Sequence, residues 1–352
     1  MTSKIIGVGN YIPSQTITNL FFDNHHFLDE NGDALLQSNA IIADKLKEIT
    51  GIEERRYADK DQVASDIGFL AAKKAIENAS IDPETIDYII FAHNFGDVRF
   101  GTIQTDMVPS LAARVKNLLH IKNNFCVAYD VIFGCPGWIE GMIQANCFIK
   151  AGIAKRCLVI GAETLSRVVD IHDRDSMIYA DGAGAAILDV SNNKVGIQSH
   201  LSASFTFKEK DYLYFGKSFN TKSSANIRYI KMEGRRIYEF ALLNVPGAMK
   251  KCFDESGYTI DQLSKIIIHQ ANEKMDEAIV NRFYKLYNKP VPANIMPMVI
   301  HKLGNSSVAT IPTLLTMLLN NELENHSLNK GDVVLFASVG AGMNVNAFVY
   351  TF

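Results

Sequence analysis

Two widely separated stretches of the chain follow the same plan. Residues 75–92 and residues 253–269 each contain a helix end, a break of small residues and then a short apolar run. A second pair starts at Gly134-Cys135 and at Gly304-Asn305, and each of these is followed by a helical pattern and then by an apolar strand. The matching stretches lie well over a hundred residues apart, so the repeated unit is longer than that of a solenoid. They therefore indicate a duplicated α/β domain.

The alternation of helices and strands predicts the fold class. Residues 61–79 carry apolar side chains at helical spacing, and residues 87–92 form a β-branched run typical of a buried strand. A helix followed by a strand recurs at 136–150 and 156–161. We therefore expect an α/β protein whose sheets are covered by helices.

The duplication also predicts a domain organisation. We expect residues 1–190 to form the N-terminal half and residues 191–352 the C-terminal half, with the stretch 191–226, rich in Ser, Asn and Lys, crossing between them. Open α/β sheets place function where strands lead into helices. Three chemically useful side chains fall at such junctions, and a pseudo-twofold axis would bring them together: Cys135, His269 and Asn305.

The composition excludes several classes of function. The chain has 352 residues, of which 47% are hydrophobic and 21% charged, with a formal net charge of -3. This balance lacks the basic excess that nucleic-acid binding requires. No segment approaches the roughly 18 uninterrupted apolar residues of a membrane span, and the first residues lack the pattern of a signal peptide, so we expect neither feature. We expect a cytoplasmic protein without a nucleic-acid partner.

The five cysteines are irregularly spaced and odd in number, which favours reduced thiols over a disulfide framework. No CxxC motif or Cys/His pairing predicts a zinc site. Four of the cysteines are expected to lie in the core: Cys126, Cys147, Cys157 and Cys252.

The fifth cysteine has a different context. An apolar strand leads into Gly134, Cys135 and Pro136, and a helical pattern follows. Proline is favoured in the first helical turn, so Cys135 lies at or beside the N-cap, where free amides and the helix dipole stabilise a thiolate. A lowered thiol pKa would activate Cys135 as a nucleophile. The alternative is that Cys135 is a small buried residue, as most free cysteines are.

Two further side chains at predicted strand ends bear on the chemistry. His269 follows the apolar residues 266–268, which places its imidazole in a crevice at the edge of a sheet. The alternative is a structural histidine. Asn305 stands in Gly304-Asn-Ser-Ser, where it can also serve as a helix cap or a turn residue.

Three motifs, in this order, resemble those of the β-ketoacyl-acyl-carrier-protein synthase III family: Cys135-Pro-Gly, His269-Gln-Ala-Asn and Gly304-Asn-Ser-Ser. Thr50-Gly-Ile and Asp181-Gly-Ala-Gly also match, and the resemblance spans almost the whole chain. It implies a five-layered αβαβα thiolase-like fold and a homodimer. It also implies that the partners are acyl-CoA or acyl-carrier-protein thioesters and the carrier protein itself.

The resemblance assigns a role to each candidate residue. Cys135 would accept the acyl group, and His269 and Asn305 would face the second thioester. The oxyanion formed by attack on a thioester needs preorganised donors, and by resemblance these are the backbone N–H groups of Cys135 and Ala341. Neutral His269 and the Asn305 amide can both donate to the enolate oxygen of the second thioester. No metal or redox cofactor is expected.

The sequence departs from the family where substrates bind. Family members that prime fatty acids carry a tryptophan and an arginine shortly before Thr-Gly-Ile, where they clamp the adenine of coenzyme A; here Lys45 and Ile49 take those places. Val108 stands where the family commonly lends a phenylalanine across the dimer, which predicts room for a longer or branched acyl chain. The only tryptophan, Trp138, lies beside the nucleophile and either shapes the acyl pocket or fills core.

These departures resemble condensing enzymes of specialised metabolism, including those that form dialkylresorcinol precursors by joining two acyl thioesters. We expect an acidic carrier protein to dock at Lys274, where the family usually has a basic residue. Four more residues either extend this basic rim or belong to a solvated charged face: Arg228, Lys231, Arg235 and Arg236.

The sequence therefore predicts a Claisen-type condensing acyltransferase of specialised lipid or polyketide biosynthesis. One alternative is a housekeeping synthase III that initiates fatty acids. Another, from a different class, is a cysteine thioester hydrolase, because Cys-His-Asn also serves proteases; the duplicated architecture argues against it. A non-catalytic dimer partner would typically have lost the nucleophile, and Cys135 is present.

Overall fold

The computed structural model describes residues 2–191 and 194–352. Its strands are β1 (Thr2–Tyr11), β2 (Gln15–Thr18), β3 (Glu54–Tyr57), β4 (Tyr88–Ala92), β5 (Asp97–Val98), β6 (Thr105–Asp106), β7 (Val127–Val131), β8 (Arg156–Thr164), β9 (Asp181–Ser191), β10 (Gly196–Ser204), β11 (Leu213–Gly216), β12 (Tyr229–Met232), β13 (Leu263–Ile268), β14 (Val333–Gly340) and β15 (Asn344–Thr351). Its α-helices are α1 (Asn39–Thr50), α2 (Ala64–Ala79), α3 (Leu111–Leu118), α4 (Gly137–Lys150), α5 (Gly234–Glu255), α6 (Glu273–Lys285), α7 (Ile300–Leu303) and α8 (Thr310–Leu319). None of the helices in this described part of the chain is long and apolar enough to cross a lipid bilayer.

Two sheets organise these elements, and they share one strand order. The first sheet runs β1-β9-β8-β4-β7 and the second runs β10-β15-β14-β13. In both sheets the first two pairings are antiparallel and the third is parallel. The place that β7 takes beside β4 is taken in the second sheet by a segment at Ile295, whose carbonyl accepts a 2.8 Å hydrogen bond from the amide of Ile266 in β13. The repeated topology confirms the predicted duplication.

Helices separate and cover the two sheets in five layers. α2 and α3 pack on the outer face of the first sheet, and α5 and α6 cover the outer face of the second. α4 and α8 lie between the sheets, where apolar side chains from both helices and both sheets form one core. α8 is buried along almost its whole length, as expected for a helix with apolar residues on every face. The layer order is therefore the predicted αβαβα.

Close packing between α8 and the first sheet depends on a glycine in β9. A Cβ on Gly184 would lie 2.7 Å from Cβ of Pro312 and 2.8 Å from the backbone N of Thr313. These distances are shorter than any side chain tolerates, so only glycine lets the strand approach the helix this closely. This approach helps to hold the segment before α8, which carries Asn305, against the first sheet.

The predicted crossover between the halves was wrong in part. The stretch 191–226 contains β10, which forms an edge of the second sheet, and β11, which pairs with β12 in a separate antiparallel ribbon. The stretch looks like a loop in sequence because an edge strand needs few apolar residues. The division between residues 190 and 191 stays a prediction; it falls at the end of β9, next to residues 192 and 193, which lie outside the described part of the chain.

Candidate active site

A cavity of about 420 Å³ lies at the ends of strands from both sheets. It adjoins the loop after β7, the end of β13 and the turn after β14. Four residues singled out by the sequence line it together: Cys135, His269, Asn305 and Ala341. Side chains from the two halves thus meet in one chamber.

Two backbone segments come into close contact at the wall of this cavity. Gly134 has a φ of 66°, in the left-handed region, and a Cβ on it would lie 2.8 Å from the backbone N of Ala341. A Cβ on Gly340 would lie 2.5 Å from the backbone N of Cys135. Glycine at these positions places the N–H groups of Cys135 and Ala341 on neighbouring segments. Two donors to one oxyanion need such an arrangement.

Burial keeps the thiol of Cys135 protonated. The residue directly precedes α4, with Pro136 at the N-cap, as predicted. Burial nevertheless raises the pKa of the Cys135 thiol to about 11, and hydrogen bonding to the Ser307 hydroxyl opposes that rise. The prediction of a lowered pKa was therefore wrong, because the loss of solvation outweighs the effect of the helix N-terminus. Attack on a thioester requires the thiol proton to leave during the reaction.

His269 is a neutral, almost fully buried imidazole at the end of β13. Its backbone N–H donates to the carbonyl of Ala337 at 2.9 Å, and its Nδ1 lies 2.7 Å from Oγ1 of Thr310. Burial lowers the pKa of His269 to about 3. The Thr310 hydroxyl also lies 3.0 Å from the carbonyl oxygen of Ser307. When this hydroxyl donates to Nδ1, the ring carries its proton on Nε2 and can donate it to a substrate oxygen.

Asn305 is held with its amide group turned toward the cavity. Its backbone N–H donates to Ile178 at 3.0 Å and its carbonyl accepts from Ala180 at 2.9 Å. Its side-chain Oδ1 accepts a 2.8 Å hydrogen bond from the backbone N–H of Ser307. Within residues 2–191 and 194–352, Nδ2 has no acceptor, so this NH2 group is available to a ligand. Asn305 does not cap a helix, but the turn alternative describes its Oδ1, which accepts from the N–H two residues further on.

The two side chains predicted to shape the acyl pocket do not line the cavity of the single chain. Trp138 is 1% exposed in the core between the sheets, and its indole N–H donates to the carbonyl of Val159 at 3.3 Å. The core-filling alternative therefore describes Trp138, and we do not assign it a contact with substrate. Val108 is 87% exposed. Its predicted role depends on a second subunit and stays a prediction.

Of the basic residues predicted to dock a carrier protein, Lys274 and Arg235 are exposed and Lys231 is buried. Lys274 is exposed in the first turn of α6. Arg235 is exposed and pairs with Glu239 on α5. The suggestion that Lys231 takes part in docking was wrong, because its ammonium group is buried and lies 2.7 Å from Asp170 and 2.8 Å from Asp173. Lys231 instead anchors β12 to the segment that follows β8.

The other four cysteines lie outside the cavity. Cys126, Cys157 and Cys252 are buried and form no disulfide, as predicted, whereas Cys147 is exposed on α4 and was wrongly predicted to lie in the core. Helical periodicity around Cys147 is weak because α4 is apolar on most faces, so the sequence did not single out its outer position. The described residues contain no group of three or more His, Cys, Asp and Glu side chains that could hold a metal ion.

The structure adds polar residues that the sequence interpretation did not single out. Asn94 follows β4 at the same edge of the sheet and lines the cavity together with Ser307. Glu163, at the end of β8, lies directly behind Asn94 and is 1% exposed. The strand-end argument that selected His269 applies equally to Asn94 and Glu163, and it would have found both.

Apolar side chains form much of the remaining wall of the cavity. They come from the segment after β4, from the β11–β12 ribbon and from α5. The main contributors are Phe95, Leu213, Phe215, Ile230, Met232 and Ile237. A chamber with polar groups at one end and apolar walls elsewhere suits an acyl thioester.

Comparisons with known proteins agree with this geometry. The profile of 3-oxoacyl-[acyl-carrier-protein (ACP)] synthase III matches residues 129–204, and the profile of its C-terminal part matches residues 253–352. The chain is 33% identical to the β-ketoacyl-[acyl-carrier-protein] synthase III of Caldanaerobacter subterraneus, over 97% of this chain and 96% of that protein.

Solved structures show the same relationship. The 3-oxoacyl-[acyl-carrier-protein] synthase III of Aquifex aeolicus is similar with a TM-score of 0.81 at 30% identity, covering 99% of this chain and 100% of that one. The priming β-ketosynthase of the R1128 polyketide pathway shares the fold with a TM-score of 0.82 at 23% identity, covering 99% and 96%. Fold and relatives together define a condensing acyltransferase of the thiolase-like class. The chain belongs to the β-ketoacyl-acyl-carrier-protein synthase III family.

Proposed function

We propose that this chain joins two acyl thioesters by a Claisen-type condensation, with Cys135 as the acyl acceptor. The observation that carries the proposal is the meeting of Cys135, His269 and Asn305 in one cavity of about 420 Å³. A thiol, a neutral imidazole and an amide donor are the groups that acyl transfer followed by enolate chemistry requires. The curated relatives named above carry the corresponding activity in their names.

In the first half-reaction the Cys135 sulfur attacks the carbonyl carbon of an acyl thioester. Negative charge develops on the carbonyl oxygen, beside the backbone N–H groups of Cys135 and Ala341, which stabilise it. The bond to the leaving sulfur breaks, and the leaving thiol takes up the proton that Cys135 loses. The products are acyl-Cys135 and a free thiol.

In the second half-reaction a second thioester forms an enolate, by loss of either carbon dioxide or a proton. His269 Nε2–H and the free NH2 group of Asn305 donate to the enolate oxygen and lower the energy of this step. Because burial holds His269 neutral, the imidazole donates without adding a charge to the apolar chamber. The enolate carbon then attacks the carbonyl carbon of acyl-Cys135, and the new carbon–carbon bond forms as the bond to the Cys135 sulfur breaks. The sulfur takes up a proton, which solvent supplies after loss of carbon dioxide and which balances the proton given up by the second thioester in the other route.

We further propose that the acyl group is longer or more branched than in fatty-acid priming, as in specialised lipid or polyketide biosynthesis, with dialkylresorcinol precursors as the leading example. The apolar wall offers a long surface for an acyl chain. Val108 is smaller than the family's usual phenylalanine, and Lys45 and Ile49 are both exposed on α1 without an aromatic plane for adenine. These features favour delivery by a carrier protein over delivery by coenzyme A.

We propose that the chain acts as a homodimer and receives substrate from an acidic carrier protein near Lys274. β7 is an edge strand of the first sheet, and the exposed apolar residues Phe125, Val127 and Ile132 lie at or beside it. Edge strands of this kind are normally covered. A partner subunit on this edge would also bring Val108 of one chain toward the chamber of the other. We also propose that each chain divides into an N-terminal half, residues 1–190, and a C-terminal half, residues 191–352.

The experiment that tests the function is an acylation assay. The protein is incubated with acyl-CoA and acyl-carrier thioesters of different chain length, and mass spectrometry finds the acyl mass on the peptide that contains residue 135. We expect loading by medium or long chains from the carrier protein, and a carbon–carbon product when a second thioester is added. A Cys135→Ala variant that still acquires the acyl mass would overturn the assignment of the nucleophile.

The same assay separates the two alternatives. Preferred loading of acetyl-CoA, with a malonyl-carrier extender, would identify a housekeeping enzyme that initiates fatty acids. The related proteins of Caldanaerobacter subterraneus and Aquifex aeolicus, both β-ketoacyl-[acyl-carrier-protein] synthases III, keep that alternative open. Release of free acid without any condensed product would identify a thioester hydrolase instead.

A further inference from the structure

A chain of hydrogen bonds leads from the nucleophile into the first sheet. Nδ2 of Asn94 lies 3.1 Å from Oγ of Ser307 and 2.6 Å from Oε1 of Glu163. Hydrogen bonding to the Ser307 hydroxyl lowers the pKa of the Cys135 thiol. Asn94, Ser307 and Cys135 line the cavity, whereas Glu163 is buried behind them. The catalytic steps described above make no use of Asn94 or Glu163.

Counting hydrogens gives this chain a direction when Glu163 presents an acceptor oxygen to Asn94. An amide NH2 group has two hydrogens, and Asn94 gives one to Ser307 and the other to Glu163. A hydroxyl has one hydrogen. Because the Ser307 oxygen accepts from Asn94, its own hydrogen can point to the sulfur of Cys135. If the Asn94 amide were turned over, its oxygen would attract the Ser307 hydrogen and the sulfur would lose a donor.

The backbone of Ser307 is also fixed. Its φ is 53°, in the left-handed region, and its N–H donates to Oδ1 of Asn305 at 2.8 Å. Its carbonyl oxygen lies 3.0 Å from the Thr310 hydroxyl. With the backbone held in this way, rotation of the hydroxyl hydrogen is the remaining freedom, and Asn94 restricts it.

We propose that Asn94 and Glu163 are positioning residues for the nucleophile: Glu163 holds the Asn94 amide, and the amide directs the single hydroxyl hydrogen of Ser307 to the Cys135 sulfur. The proposal rests on the proposed role of Cys135 as the acyl acceptor. A donor aimed at the sulfur stabilises the thiolate as it forms in a site where burial opposes charge.

The charges around the sulfur support this arrangement. Burial raises the pKa of Glu163 to about 8, and the hydrogen bonds from Asn94 oppose the rise. Glu163 is therefore mostly neutral near pH 7. In its charged form it disfavours a thiolate at Cys135. Asp181 acts on Glu163 in the same direction as burial. Tyr179 and His269 also line the cavity, and both are neutral at this pH. Lys210 lines it as well.

Alkylation of Cys135 measured against pH tests the proposal without any acyl substrate. Iodoacetamide reacts with the thiolate, and mass spectrometry of the peptide containing residue 135 separates this reaction from that of the exposed Cys147. We expect Ser307→Ala to slow alkylation at a fixed pH about ten- to a hundredfold, because a hydrogen bond to a charged group is lost. Ser306→Ala, at the neighbouring buried serine outside the cavity lining, is the matched control and should follow wild type.

Asn94→Leu is the decisive variant, because it removes the NH2 donor without adding a charge. We expect it to slow alkylation in the same direction as Ser307→Ala and to move the pH profile to higher pH. Glu163→Leu and Glu163→Gln both remove the carboxylate charge, which itself disfavours a thiolate at Cys135, so they are compared with each other. Glu163→Gln keeps an acceptor oxygen for Asn94 and should react faster than Glu163→Leu. If Asn94→Leu does not fold, Asn94→Ser, too short to reach both oxygens, replaces it.

Two results would contradict the positioning role of Asn94 and Glu163. An alkylation profile of the folded Asn94 variant that coincides with wild type would overturn the proposal, as would equal rates for Glu163→Leu and Glu163→Gln. The proposed function is tested separately, by acyl loading. Shifted alkylation profiles in a protein that accepts no acyl group would sustain the positioning role and remove the acyltransferase role, and the reverse combination would do the opposite.

Discussion

Replacement of Gly340 by alanine puts a methyl group where the backbone before α4 already lies. A Cβ at this position would lie 2.5 Å from the backbone N of Cys135 and 2.7 Å from Cδ of Pro136. Both atoms belong to the main chain or to a proline ring, so no flexible side chain can move aside. The segments that carry Cys135 and Ala341 must therefore separate.

The separation needed is large compared with a hydrogen bond. Ordinary contact begins at 3.4 Å, so the two segments must move apart by about 0.9 Å. A donor–acceptor distance that starts near 2.9 Å would then exceed the roughly 3.2 Å limit of a good N–H···O bond. Loss of one oxyanion donor costs about 10²–10³ in rate. We expect acyl loading of Gly340→Ala to slow by that factor.

Rapid-quench mass spectrometry of acyl-Cys135 measures the loading rate. Gly247→Ala is the matched control, because a Cβ on Gly247 in α5 meets nothing within 4 Å. Alkylation of Cys135 by iodoacetamide forms no oxyanion, so it should change far less than acyl loading in Gly340→Ala. A folded Gly340→Ala protein that loads acyl groups within threefold of wild type would refute the assigned oxyanion donors.

Four further outcomes are expected. Val108→Phe should reduce loading of long acyl chains relative to short ones, and an unchanged chain-length profile would refute the pocket argument. Thr310→Val removes the 2.7 Å contact with His269 Nδ1 and should slow condensation from preloaded enzyme about ten- to a hundredfold, with Thr310→Ser restoring it. Lys231→Met leaves two buried carboxylates unpaired and should lower the free energy of unfolding in urea by about 3–5 kcal/mol, whereas the exposed Arg235→Met should change it by less than about 1 kcal/mol. Because the folded protein holds the pKa of His269 near 3 and the unfolded chain near 6.5, the unfolded state binds the extra proton between these values, so stability falls as pH drops below 6.5. His269→Gln should remove about 1.4 kcal/mol per pH unit of this loss, and parallel urea curves for the two proteins from pH 7 to pH 5 would contradict the assignment.

The parts of the fold that depend on local pattern were predictable from the sequence. Runs of buried apolar residues marked β4, β8, β13 and β14, and their recurrence at the same spacing revealed the duplication. The position of Cys135 followed from the small residue and proline that surround it. For Asn305 the sequence alone left a cap or a turn as good explanations, and the family motif was the signal that selected it.

The features that depend on distant contacts were not predictable. Lys231 looks like a surface residue until Asp170 and Asp173, 61 and 58 residues away in the chain, close around its ammonium group. The pKa of Cys135 depends on how deeply the finished fold buries the thiol, which a helix start in the sequence does not reveal. β10 was taken for part of a loop because its residues are largely small and polar, and only pairing with β15 makes it a strand.

The burial of Lys231 has a consequence for how substrate preference can change. Successive side chains of a strand point to opposite sides, so Ile230 and Met232 face the chamber while Lys231 reaches back to Asp170 and Asp173. In β12, the residues that face the chamber therefore alternate with the residue that stabilises the strand. Evolution or an engineer can enlarge or narrow the chamber at Ile230 and Met232 without disturbing the ionic anchor that keeps the strand in place.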